Sequence, residues 1–129
     1  MTINSLAQVI TAAQEAEVVA RDVVAACQEV KAKDVVVLDV RGITDVAKYF
    51  IIASARSDRQ AQGIGNRVIA DLAQRGEDPC SIEGFDTGHW ILLDYGEVVV
   101  HVFYEPVRAH YDLEGLWAQA PKAEMGMGA

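Results

Sequence analysis

Three histidines, two cysteines and 19 acidic residues are the side chains of this 129-residue chain that could carry metal binding, proton transfer or nucleophilic attack. Zinc wants four ligands at short paired spacings. Cys27 and Cys80 are 53 residues apart, and no two of His89, His101 and His110 stand at i, i+4 or are framed by Cys. His101 reads as a hydrogen-bonded strand residue, and His89 and His110 as surface residues. Nucleophilic catalysis calls for a Ser or Cys on a sharp, Gly-flanked turn. Ser54, Ser57 and Ser81 lack that context, and Ser57 reads as a helix cap. Two-metal nucleotidyl transfer needs carboxylates at neighbouring positions of one strand face. Asp39 is followed by Val40-Arg41 and Asp94 by Tyr95-Gly96, so neither starts a D-x-D or D-x-E pair. Gly63-Ile64-Gly65 resembles half of a dinucleotide fingerprint, but it falls inside a helix and Val68 takes the third Gly position. The expectation is a chain without catalytic residues, without a cofactor and without a metal.

The charge balance points toward a binding role. Lys and Arg number 11 against 19 Asp and Glu, a net charge of −8. Coating nucleic-acid phosphates takes clustered basic residues, so no sequence-specific nucleic-acid contact is expected. An acidic surface suits a basic protein partner. The two cysteines fit small apolar residues in a reducing compartment. No run of about 18 uncharged apolar residues exists to span a membrane, and no secretory signal pattern opens the chain. A cytoplasmic location is expected.

The elements that position these residues follow from hydrophobic period. Leu6, Val9, Ile10, Ala13, Ala16, Ala20, Val23, Cys27 and Val30 recur at helical spacing, with Asn4 and Ser5 as candidate caps and Lys31 and Lys33 near the C-terminal end. This run predicts a helical segment over residues 1–33, as one helix or two. Val35, Val36, Val37, Leu38 and Val40 predict a strand covered on both faces. Tyr49 to Ala53 is a second. Ser57 and Gln60 then stand at capping-box spacing before an apolar stripe, with Gly76 at its end. Cys80 to Glu83 reads as a short strand, His89 to Tyr104 as a hairpin, and Val107 to Trp117 as a helix that Pro106 opens. The fold class is α/β: a mixed sheet of about five strands flanked by helices, parallel across the Ser57 helix and antiparallel in the hairpin. Residues 34–118 form its single α/β domain, and 119–129 a flexible tail.

Taking Tyr95 and Gly96 as the hairpin loop, Asp94 faces Glu97, Leu92 faces Val99 and Trp90 faces His101. Ile91, Leu93, Val98, Val100, Val102 and Tyr104 then share a core face. The other face carries Trp90, Leu92, Asp94, Glu97, Val99, His101 and Phe103. Either a helix covers that mixed face or a partner does. The candidate partner-binding residues are Trp90, Leu92, Asp94, Tyr95 and Glu97.

Several segments resemble one known family. Asp34-Val-Val-Val-Leu-Asp-Val-Arg-Gly42 is similar to the first strand of the ribosomal silencing factor family, RsfS, also called Iojap-like. Tyr49-Phe50-Ile51-Ile52-Ala53 with Ser57-Asp58-Arg59-Gln60 resembles its next stretch. Glu83-Gly84 and Trp90 through Phe103, then Tyr111-Asp112-Leu113-Glu114 and Leu116-Trp117, continue the match in order. Gly115 departs from it by occupying a position where the family carries a better helix former. The resemblance implies a non-enzymatic factor with a nucleotidyltransferase-like fold that lacks the catalytic carboxylates. It implies binding to the large ribosomal subunit through ribosomal protein fourteen, a block of small-subunit joining, repression of translation, and a capacity to form homodimers.

Overall fold

A computed structural model of the chain describes the backbone over residues 2–126, with side chains from residue 14 onward. Tyr49–Ala55 (β2) is buried at each of its seven positions, as suits an apolar strand with neighbours on both edges and layers on both faces. It pairs antiparallel with Lys33–Asp39 (β1) and parallel with Val98–Tyr104 (β5). Trp90–Asp94 (β4) and Ser81–Glu83 (β3) continue the sheet, whose order is β1-β2-β5-β4-β3. This is the mixed five-stranded sheet expected from the sequence. β2 and β3 run in the same direction across the Ser57 helix, although the bonded parallel neighbour of β2 is β5.

Thr2–Glu29 (α1) and Asp58–Ala73 (α2) cover one face. Val23, Cys27, Ile64, Val68 and Leu72 pack there on Ile51, Ile91, Leu93, Val100 and Val102. α1 is one continuous helix that shares this core, so residues 1–33 are not a separate helical unit. It begins upstream of Asn4 and Ser5, whose side chains lie outside the described residues. Nor do Lys31 and Lys33 end it. Lys31 turns the chain at φ 59°, and Lys33 sits in β1, where its ammonium lies 3.2 Å from Glu105. α2 starts as expected, with Ser57 Oγ accepting from the Gln60 amide at 3.0 Å. Gly65 allows close packing: a Cβ there would meet the Phe85 ring at 3.3 Å and Ile91 at 3.7 Å.

The other face buries Phe50, Ile52, Val99 and Phe103 beneath two short helices. The single helix expected over Val107–Trp117 breaks into Glu105–Tyr111 (α3) and Leu113–Leu116 (α4). Asp112 adopts a left-handed conformation between them, and its carboxylate accepts from the Gly115 amide at 3.2 Å. A Cβ on Gly115 would come 2.2 Å from that carboxylate, which accounts for glycine at a helical position. Gly115→Ala is expected to displace the cap and lower stability by about 1 kcal/mol, or roughly 4 °C in Tm. An unchanged melting curve would contradict this.

Two further expectations are corrected. The hairpin loop is Gly96-Glu97 rather than Tyr95-Gly96, since the Tyr95 amide donates to the Val98 carbonyl at 2.9 Å. Gly96, at φ 85°, supplies the turn, and Asp94 Oδ1 accepts its amide at 2.7 Å. Trp90 therefore pairs with Phe103, Leu92 with His101 and Asp94 with Val99. Each pairing moves by two residues, so the residues of both strands keep their faces, while Glu97 leaves the ladder for the loop. The second correction concerns the tail. Residues 120–123 lie along the outer edge of β1, where the Asp39 amide donates to the Pro121 carbonyl at 2.8 Å and the Ala123 amide to the Val37 carbonyl at 2.9 Å. Met125 is buried in the larger core. An exposed strand edge has backbone groups to satisfy, and this segment satisfies the Asp39 amide and the Val37 carbonyl.

Candidate interaction surface

The structure divides the five residues expected to meet a partner. Trp90, Leu92 and Asp94 lie on the α3 face, each half-buried. Tyr95 belongs to the opposite face, packed against the α1 core with its hydroxyl enclosed and without a hydrogen-bond partner among the described residues. Burial pushes that hydroxyl up to about 12. Glu97 is exposed at the hairpin tip, 3.4 Å from the Lys48 ammonium. The loop shift explains the separation: with Tyr95 inside the ladder, alternation aims its side chain away from Trp90.

Around Trp90 the geometry is well defined. Its indole Nε1 donates to His101 Nδ1 at 3.1 Å, and its ring lies 4.8 Å from Phe103 and 5.0 Å from Tyr111. His101 is 6% exposed, and burial pushes its pKa down to about 4. A ring nitrogen that accepts carries no proton, so the neutral imidazole keeps its hydrogen on Nε2. Next to Trp90 a groove of about 390 Å³ opens between Thr87, His89, Val107, His110 and Tyr111. Tyr111 is 53% exposed and Leu116, on α4, is 78% exposed. Neither was among the expected contacts, although both belong to the C-terminal segment that resembles the family.

α3 packs on β5 and β2. Arg108 fixes it there, donating to Asp34 O at 2.7 Å, Ser54 Oγ at 2.8 Å and both Glu114 oxygens at 2.8 and 3.0 Å. Toward β4 and β3 the same face opens. Leu92 and Asp94 are half-exposed there, and their cross-strand neighbours Glu83 and Ser81 are exposed. The mixed face is thus covered over one half and open over the other.

The carboxylates weighed for catalysis have structural partners. Asp39 accepts from Arg41 at 2.9 and 2.6 Å, which holds its carboxyl below the usual range. Asp94 caps the hairpin turn. Among the described residues, no three His, Cys, Asp or Glu side chains gather as a metal site would require. No described helix is long and apolar enough to cross a membrane.

Fold and surface define a small mixed-sheet α/β protein with one half-open aromatic face. The chain belongs to the ribosomal silencing factor family: the family model described as "Ribosomal silencing factor during starvation" matches residues 13–127. It is 42% identical over 104 residues to the ribosomal silencing factor RsfS of Bacillus subtilis, covering 81% of this chain and 88% of that one. The chloroplastic protein Iojap of Arabidopsis thaliana is 37% identical over 97 residues, which are 75% of this chain and 40% of that longer one. The crystal structure of a Chromobacterium violaceum protein is similar with a TM-score of 0.78 and 34% identity, over 88% of this chain and 93% of that chain.

Proposed function

We propose that this protein is a cytoplasmic, non-enzymatic ribosomal silencing factor. It binds the large ribosomal subunit through ribosomal protein fourteen, blocks joining of the small subunit and so represses translation. Family membership supports the class of function. The observation that carries the binding role is the half-open face built from Trp90, Leu92, Asp94 and Glu83, beside the groove of Trp90 and Tyr111. Large aromatic side chains dominate interface energies, and the carboxylates suit a basic partner. Steric occupancy needs affinity and position, with no chemical step. Tyr95 and Glu97 act in this reading through the hairpin tip: Tyr95 anchors it from the opposite face, and Glu97 stays at the rim.

Sucrose-gradient cosedimentation with purified subunits at low magnesium tests this. The protein is expected to travel with large subunits and not with small ones. Trp90→Ala is expected to lose roughly thirtyfold in affinity, together with some stability, because the indole also packs on Phe103. Tyr111→Ala, which removes an exposed ring, should lose about tenfold with no comparable change in melting. Two well-folded variants that bind like the unmodified chain would refute the placement of the site. Absence of the protein from the large-subunit fraction would refute the function.

A further inference from the structure

The two edges of the sheet are treated differently. Residues 121–123 of the chain itself cover the β1 edge. β3 ends the strand order on the other side, and all three of its residues are exposed, Ile82 at 45%. A strand with one neighbour turns half of its backbone donors and acceptors outward, where another strand can pair with them.

Charge says what kind of strand. Between residues 76 and 107 the chain has seven Asp or Glu and no Lys or Arg. Lys48 and Lys33 pair with two of the seven, Glu97 and Glu105. Glu77, Asp78, Glu83, Asp86 and Asp94 have no ion-pair partner among the described residues. The β3 register also separates chemistry by face. Glu83 and Ser81, opposite Leu92 and Asp94, lie on the Trp90 face, while Ile82, opposite Leu93, lies on the α2 face. A strand added outside β3 meets carboxylates on one side and an apolar side chain on the other. Side chains alternate along a strand, so the matching sequence alternates Lys or Arg with an apolar residue.

We propose that the free edge of β3 binds an extended, basic segment of a protein partner by strand addition, with Lys or Arg alternating with apolar residues. This deepens the proposed function, from which it takes the partner to be a protein rather than an RNA. Main-chain hydrogen bonds supply the affinity, and the Glu83 side of β3 supplies the preference for basic residues.

The full, isotope-labelled chain is titrated with a nine-residue peptide of alternating Lys and Val, followed by amide shifts. Two further peptides carry N-methyl groups, one on every Lys amide and one on every Val amide. Strand addition expects shifts centred on residues 80–84, binding by one N-methylated form, and at least tenfold weaker binding by the other, whose blocked amides face β3. Glu83→Lys should weaken the parent peptide at least tenfold. Equal binding by all three peptides, no binding by any, or shifts centred elsewhere would overturn the proposal. Cosedimentation separates it from the function on which it builds. If the unmodified chain fails to travel with large subunits, the ribosomal reading falls, while the peptides still decide the chemistry of the edge. If the unmodified chain and Glu83→Lys travel equally well, the ribosomal reading stands, and neither the β3 edge nor the Glu83 side of the open face is its contact.

Discussion

Gly84→Ala is expected to destabilise the protein by about 4 kcal/mol and to lower Tm by at least ~10 °C. Gly84 sits in the turn between β3 and the start of β4 at φ 73°, a conformation that costs other residues about 1 kcal/mol or more. The larger effect is steric. A Cβ on Gly84 would lie 2.0 Å from the Trp90 carbonyl oxygen, which is backbone inside a ladder and cannot swing aside. The turn must open or Trp90 must move, and either outcome disturbs the open face and the β3 edge together. Gly96→Ala provides the control. Gly96 also has a positive φ, 85°, but nothing lies within 4 Å of a Cβ there. It should cost only about 1 kcal/mol. Thermal or urea unfolding of both variants decides the matter: equal losses would mean that backbone conformation alone, and not the approach to Trp90, fixes glycine at position 84.

Acidification is expected to remove about 3 kcal/mol of stability between pH 7 and pH 4 through His101 alone. The unfolded chain protonates this imidazole near its ordinary value of 6.5, and the folded chain only near 4, because burial disfavours the cation. Between those values the unfolded state binds the extra proton, so stability falls as pH falls through 6.5 and levels off below about 4. Asp39 and Glu114 act in a lower window. Hydrogen bonds from Arg41 and Arg108 hold their carboxyls below the ordinary 3.8 and 4.5, so their contribution is lost only at more acid pH. Urea unfolding at pH 7, 5.5 and 4 should show the slope, and His101→Gln should flatten it while leaving an acceptor for the Trp90 indole. A flat profile in the unmodified chain, or the same slope in the variant, would show that His101 is not its source.

Much of the fold was legible because local signals and burial agree. A run of Val and Leu between residues 35 and 40 cannot solvate either of its faces, so it had to be a strand covered on both faces, although it stands at one end of the strand order. Ser57 and Gln60 announced a helix start through hydrogen-bond chemistry that operates within four residues. The site was legible only in part. Alternation placed Trp90 and Leu92 on a face distinct from Ile91 and Leu93, and a loop error of one residue left that intact because the two strands slip together by two. The same error misplaced Tyr95, since it put in the loop a residue that the structure holds in the ladder, on the α1 face. The break at Asp112 had no strong sequence signal, because neither Pro nor Gly stands there. Gly115, noticed as a poor helix former, was its trace.

Taken alone, the sequence determined the α/β class, the strands and helices of the middle of the chain, the family, and an acidic character suited to a basic partner. These depend on period, capping and composition, which act over short separations or over the whole chain. Only the tertiary structure decided which half of the mixed face is covered. That depended on where α3 docks, and Arg108 sets its place through bonds to Asp34 and Ser54, 74 and 54 residues away. Tertiary structure also decided that the tail pairs with the Val37–Asp39 end of the β1 edge, while no strand pairs outside β3 among the described residues. Pairings across such separations leave no local mark in the sequence, because either edge of a sheet offers the same backbone groups, and which one is covered depends on where the rest of the chain has already packed.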